Sequence, residues 1–207
     1  MNNKRISFKI YFLVILLLVS LLSCGVFQIT PPTPTPTATP TITLTATLTA
    51  TLTQTPNQVE LGQRYIESAG GFSYIPPTGW EIVEFPGMKY KIAHGVATGN
   101  FAPNLNFVDE AYSGSLDSYV DASVSSITQV VPDATIVNLE GITTNDGQRC
   151  LKVIIEDTQS GIKLNQVFYF LDAGTRKFVA TYSRLANSGQ ENDVLVDQSM
   201  KTFRVEE

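Results

Sequence analysis

The sequence predicts an α+β domain, an antiparallel β-sheet flanked by helices, and three observations carry that expectation. Residues 115–131 repeat their apolar side chains at helical spacing. Four consecutive β-type runs between 135 and 184 are joined by turns of three to five residues, each containing glycine. All of this patterning lies in residues 57–207, the last 151 of a 207-residue chain. That length is ordinary for one domain and long enough to enclose a core.

Taken in order, alternation begins at 64–67, and Ala69-Gly70-Gly71 turns the chain into 72–75. Pro76-Pro77-Thr78-Gly79 interrupts pairing, because proline has no amide proton for a ladder, so 80–84 is a separate strand opened by Trp80. Residues 90–98 and 104–112 are two more, joined by the looser Gly99-Asn100-Phe101-Ala102-Pro103. Ser115 is placed to cap a helix whose Leu116, Tyr119, Val120, Val124, Ile127 and Val131 form one apolar stripe, and Pro132-Asp133 ends it. A meander follows in 135–143, 148–156, 162–171 and 177–184. Its short glycine-containing connections demand antiparallel neighbours. Residues 192–200 read as a short helix, with 202–205 as a last strand at the edge.

The first 56 residues have a different chemistry. Residues 1–9 hold three cations (Lys4, Arg5, Lys9) and no acid, and 10–22 are apolar apart from Tyr11 and Ser20, the order of a secretory signal. Leu21-Leu22-Ser23-Cys24 then resembles a bacterial lipobox, in which a small residue precedes a cysteine whose thiolate takes up diacylglycerol. The expected division is a signal peptide at 1–23, a lipidated Cys24 leading a Thr/Pro-rich spacer through 56, and a folded domain at 57–207. An uncleaved signal anchor is the alternative, since 10–27 contains no charge. Either way the domain lies on the extracytoplasmic side of a cell membrane.

From Thr33 to Thr55 every odd position is threonine, and residues 30–56 carry six of the eleven prolines and no charge. Neither face of that segment has large enough side chains for a core, so its expected role is reach: about 80 Å if extended at about 3.1 Å per residue. It is open to O-glycosylation, and its proline-free part, 41–53, has the alternation to pair with a neighbouring copy.

All nineteen acids fall in 57–207 against eleven Lys and Arg, a formal charge of −8 where the whole chain has −5. That sign argues against nucleic acid or anionic lipid as a partner of the domain. Two cysteines exclude a disulfide scaffold and any four-cysteine metal site. His94, the sole histidine, has Asp109 and Glu110 as its candidate carboxylate neighbours if strands 90–98 and 104–112 pair. Cys150 alternates with Leu151, Val153 and Ile155 and reads as a small hydrophobe beneath a helix. Asp117 with Asp121, and Glu191 with Asp193 and Asp197, lack calcium-loop spacing and read as solvated faces. Phe85 and Phe101 each sit in a Pro/Gly loop, where an exposed ring marks a binding surface and a buried one plugs the sheet end.

The order Gly70-Gly71-Phe72-Ser73-Tyr74, Pro77-Thr78-Gly79-Trp80, Ala102-Pro103-Asn104-Leu105-Asn106, then Ser115-Leu116-Asp117-Ser118-Tyr119, a meander and a closing helix into Thr202-Phe203-Arg204 resembles the PsbP-like family. That family includes the extrinsic PsbP subunits of photosystem II, DcrB-type bacterial lipoproteins and mycobacterial lipoproteins. The resemblance covers nearly all of 65–205 and rests on structural glycines, a turn proline and core aromatics. It implies a PsbP-like α/β/α sandwich and a binding or assembly role, with no catalytic set to carry over. The expected function is therefore a non-enzymatic surface lipoprotein, held to the membrane by an N-terminal lipid and binding or scaffolding an envelope protein, with no cofactor and no metal. The alternative is a small-molecule or divalent-metal carrier using the sheet face or a cleft beneath the first helix.

Overall fold

The computed structural model describes residues 60–206 apart from Pro132. The signal segment, Cys24 and the spacer lie outside the described residues. Two sheets are present: a seven-stranded antiparallel sheet in the order β3-β4-β5-β9-β8-β7-β6, and a small one in the order β1-β2-β10. Their strands are β1 (Tyr65–Glu67), β2 (Phe72–Tyr74), β3 (Glu81–Val83), β4 (Ile92–His94), β5 (Asn104–Ala111), β6 (Thr135–Thr143), β7 (Arg149–Gln159), β8 (Ile162–Ala173), β9 (Arg176–Leu185) and β10 (Arg204–Val205). Helix α1 (Leu116–Val130) links β5 to β6, and α2 (Asp193–Lys201) follows β9 after a single 3-10 turn. The result is the α+β class expected.

Pleating sorts the long strands onto two faces. On one, α1 lays Leu116, Tyr119, Val120 and Ile127 over Leu151, Val153, Ile155, Phe168, Phe170 and Val179. On the other, Cys150, Tyr169, Leu171, Phe178, Ala180 and Tyr182 meet Phe72 and Tyr74 of the small sheet, Val196 and Met200 of α2, and Phe203. Each fully buried large side chain contributes about 1.5–3 kcal/mol. Both faces of β8 and β9 are filled, which is why residues 164–171 and 177–184 show no exposed position.

Helix α1 starts where its cap was expected: the Ser115 hydroxyl oxygen accepts from the Ser118 amide. Two boundaries differ from the sequence reading by more than two residues. β4 stops at His94, because the Gly95 amide donates to the Pro103 carbonyl. There the backbone passes so close to Trp80 that a Cβ on residue 95 would sit 2.9 Å from its Nε1. β7 runs on to Gln159, leaving only Ser160-Gly161 as the turn, both with positive φ (51° and 80°) as a two-residue hairpin turn of right-handed strands requires. β10 is the edge strand expected at the end of the chain, and it pairs with β2 of the small sheet, through Arg204 opposite Ser73.

Candidate functional site

His94 and the carboxylates expected beside it are separated by register. β4 does pair with β5, but His94 stands opposite Asn104. Asp109 is five residues further along, about 17 Å away at strand rise. His94 instead has its Nδ1 3.1 Å from the Gly95 carbonyl and its Nε2 3.9 Å from the exposed Glu81 carboxylate. Asp109 is the centre of a different cluster: Lys89 Nζ (2.5 Å), the Tyr90 hydroxyl (2.5 Å) and Arg176 Nε (2.7 Å) all donate to it. Burial opposes its ionisation, yet those three donors outweigh burial and hold its carboxyl below the usual value.

Cys150 is fully buried on the α2 face, the packing role expected of it. Burial, and after it the charge of Asp197, pushes its thiol up to about 12. Three strands stand between its strand and that of His94, and the β7 residue level with His94 is Ile155, five positions from Cys150, so the two are about 25 Å apart at strand spacing and rise and face opposite sides of the sheet. The other acids are dispersed into separate pairs. Asp117 takes a bidentate contact from Arg149 (2.6 and 2.8 Å), and Asp193 one from Arg184 (2.8 and 2.9 Å). Asp197 accepts from Lys152 (2.8 Å) and the Tyr169 hydroxyl (2.6 Å). Among the described residues no three His, Cys, Asp or Glu side chains converge as metal ligands would.

The two loop phenylalanines lie at opposite ends of β4 and do not form one surface. Phe85 is half-buried in the β3–β4 turn. Phe101 is 6% exposed, which is the plug and not the exposed ring. With Val96, Pro103 and Leu185, and with the polar Arg184 and Glu191, it lines an open concavity.

A polar patch occupies the α1 side of the large sheet where its apolar face ends. Asn104 on β5 stands opposite Ser183 on β9, which stands opposite Gln166 on β8; Asn106 stands opposite Thr181. All five are buried, as are Asp157 and Gln159 on β7. Gln159 Nε2 donates to Asp157 Oδ2 (2.7 Å) and to Gln166 Oε1 (3.2 Å), and Gln166 Nε2 donates to the Ser183 hydroxyl (3.0 Å). That relay fixes which way each glutamine amide points. It leaves Asp157 Oδ1, Gln159 Oε1, Asn106 Oδ1 and Thr181 Oγ without partners. Burial raises the Asp157 carboxyl, a shift the Gln159 amide partly offsets. Buried oxygens left open in this way suit a ligand or ordered water that donates hydrogen bonds.

Sequence reasoning missed this patch. Asn104 and Asn106 alternate with Leu105 and Phe107, and in an antiparallel strand such alternation reads by default as a solvent face. The available signal was Asn165-Gln166 inside the otherwise apolar end of β8, where a polar residue on a central strand needs an explanation.

A meander sheet with one helix on one face, and a short helix plus a three-stranded sheet on the other, defines a PsbP-like fold, and solved structures show the same architecture. Cyanobacterial PsbP (CyanoP) from Synechocystis superposes with a TM-score of 0.52 at 15% identity, covering 72% of this chain and 95% of that one. LpqN, a protein involved in cell envelope biogenesis of Mycobacterium tuberculosis, gives 0.53 at 10% identity over 70% of this chain and 86% of its own. PA94 from Pseudomonas aeruginosa, a protein of unknown function, gives 0.50 at 14% identity over 68% and 94%. At such identities the likeness establishes the fold. No protein-family model matches the sequence, and no curated protein matches it. Among the described residues no helix is long and apolar enough to cross a membrane.

Proposed function

We propose that the chain is a cell-envelope lipoprotein, anchored through Cys24 and carried on its Thr/Pro spacer, whose PsbP-like domain is a non-catalytic module that binds or scaffolds another envelope protein. The observation that carries this reading is the disposition of the reactive groups. The buried thiol of Cys150 is held protonated, and His94 stands on the opposite face among a carbonyl and one exposed carboxylate. That arrangement offers no nucleophile with a base in reach. The likeness to LpqN, itself involved in cell envelope biogenesis, supports the placement. The experiment is a Cys24→Ala exchange in the full chain with membrane fractionation and crosslinking. The wild type should sediment with membranes, carry the mass of a lipid and crosslink reproducibly to one envelope protein, whereas the variant should be released or stall as precursor. Unchanged retention and mass in the variant would count against the anchor, and absence of a reproducible crosslink would count against the scaffold.

The buried polar patch favours a second reading, a carrier of a small hydroxylated or amine-bearing molecule. Its acceptor oxygens on Asp157, Gln159 and Asn106, with the Thr181 hydroxyl, are the chemistry such a ligand needs. A thermal-shift screen with sugars, polyamines, Ca²⁺, Mn²⁺ and Zn²⁺ separates the readings, because a flat response across all of them removes the carrier.

A further inference from the structure

Seven large apolar side chains are exposed among the described residues. Three of them, Ile136 (43%), Val137 (55%) and Leu139 (54%), fall within four consecutive positions of β6. Among the described residues β6 is the outer strand of the seven-stranded sheet, nine residues long and paired with β7 alone. Such edges are normally blunted by lysine, proline or a bulge. β6 has no lysine or proline. Its single charge, Glu140, is already 3.1 Å from Lys152, and its one bulge, which leaves Val137 out of the ladder, is confined to the N-terminal end, so that residues 138–143 keep regular register with β7.

We propose that β6 is a self-recognition edge, on which two copies of this chain pair antiparallel about a two-fold axis through Leu139 to join their large sheets. The sequence Val137-Asn138-Leu139-Glu140-Gly141 is complementary to itself under that operation. Leu139 meets the partner's Leu139. Asn138 meets the partner's Glu140, an amide donor against a carboxylate. Val137, the most exposed of the three and bulged out of the ladder with β7, comes beside the partner's Gly141, where an added Cβ would find only Leu151 Cδ2, at 3.9 Å. Residues directly opposite share a face, so both leucines fall on the α1 side. The register is selected by charge. Moving the axis to residue 140 sets two glutamates against each other, and moving it to residue 138 sets Ile136 against the partner's Glu140. An edge pair of this length buries well under the roughly 800 Å² per partner of a standard interface. Association is therefore weak in dilute solution and strongest where copies are crowded on one surface.

The test uses the full chain in membranes and in detergent. Leu139→Cys should form a disulfide-linked dimer under mild oxidation at least about tenfold faster than Val194→Cys, an equally exposed position on α2, with the wild type as baseline. Leu139→Lys places two like charges at the axis. It should weaken self-association by about tenfold in sedimentation equilibrium while leaving the thermal midpoint unchanged, because the side chain is exposed. Equal crosslinking at 139 and 194, a sedimentation profile that stays monomeric at every concentration, or self-association that survives Leu139→Lys would each overturn the proposal.

Discussion

The carboxylate of Asp109 is half-buried and that of Asp157 buried, and their surroundings push them in opposite directions. Asp109 collects three donors that outweigh its burial, so its folded-state carboxyl is the stronger acid. Its stabilising effect is complete above the unfolded value near 4 and is lost as pH falls through the lower folded one. The wild type should therefore lose more stability between pH 6 and 3 than Asp109→Asn, which starts about 1–3 kcal/mol less stable at neutral pH; urea midpoints at both pH values read the difference. Asp157 has the reverse sign. Its folded-state carboxyl is the weaker acid, chiefly through burial, so ionisation costs stability that returns as pH falls through the raised value. Asp157→Asn should stabilise the chain at pH 7 and do nothing at pH 3, and a variant no more stable than the wild type at pH 7 would contradict the assignment. A carboxylate kept at such a cost, with one oxygen open, is where a binding role and stability would compete. Cys150 was legible in the sequence as a packing residue, because its alternation with Leu151, Val153 and Ile155 put it on the other face. With its thiol pushed up to about 12, it should resist thiol reagents at pH 8 until the domain unfolds, which peptide mass mapping before and after urea reads.

Elements with a strong period were read correctly and elements set by partners were not. The stripe of α1 and its Ser115 cap follow from local spacing and local hydrogen bonding. Ser115→Ala should accordingly cost about 1 kcal/mol. The meander strands follow from alternation between glycine turns. By contrast, the end of β4 depends on where Trp80 and Pro103 pack against Gly95. The attachment of β10 depends on β2, which lies more than a hundred residues earlier. The β7–β8 turn was assigned five residues because Asp157, Thr158 and Gln159 are polar, yet the structure pairs all three with β8 and turns on two. Ser160 is the one described non-glycine residue with positive φ. Ser160→Gly or Ser160→Asn, better suited to that conformation, should stabilise the hairpin by about 0.5 kcal/mol, whereas Gly161→Ala should cost roughly 1 kcal/mol. Equal midpoints for wild type and Ser160→Gly in urea unfolding would show that the turn is not strained.

Across the whole molecule, the two ends of the described chain are bound in the same small sheet, and they are unequal in what they hold. β1 and β10 flank β2, and the Glu206 amide donates to the Gly71 carbonyl. Before β1, the ties are backbone bonds from Gly62 to the Pro76 carbonyl (2.8 Å) and from Thr78 to the Glu60 carbonyl (3.2 Å), together with the Arg64 guanidinium, which donates to the Ser73 hydroxyl (2.8 Å) and to the Thr202 carbonyl (3.0 Å), with no large side chain buried. After α2, Phe203 is fully buried, its ring within 6.1 Å of Phe72, Phe107 and Phe178. The packed layers described are built from residues 60–206, and they fail to close without the last five residues. A chain beginning at Asn57 should keep the thermal midpoint of the full chain to within about 2 °C, since it retains every residue of those layers. Phe203→Ala should cost about 3–5 kcal/mol, a cavity among the rings of Phe72, Phe107 and Phe178, and ending the chain at Thr202 should cost at least as much. Calorimetry on the three chains decides the point. A truncation at Asn57 that melts as early as Phe203→Ala would mean that the N-terminal segment is part of the fold.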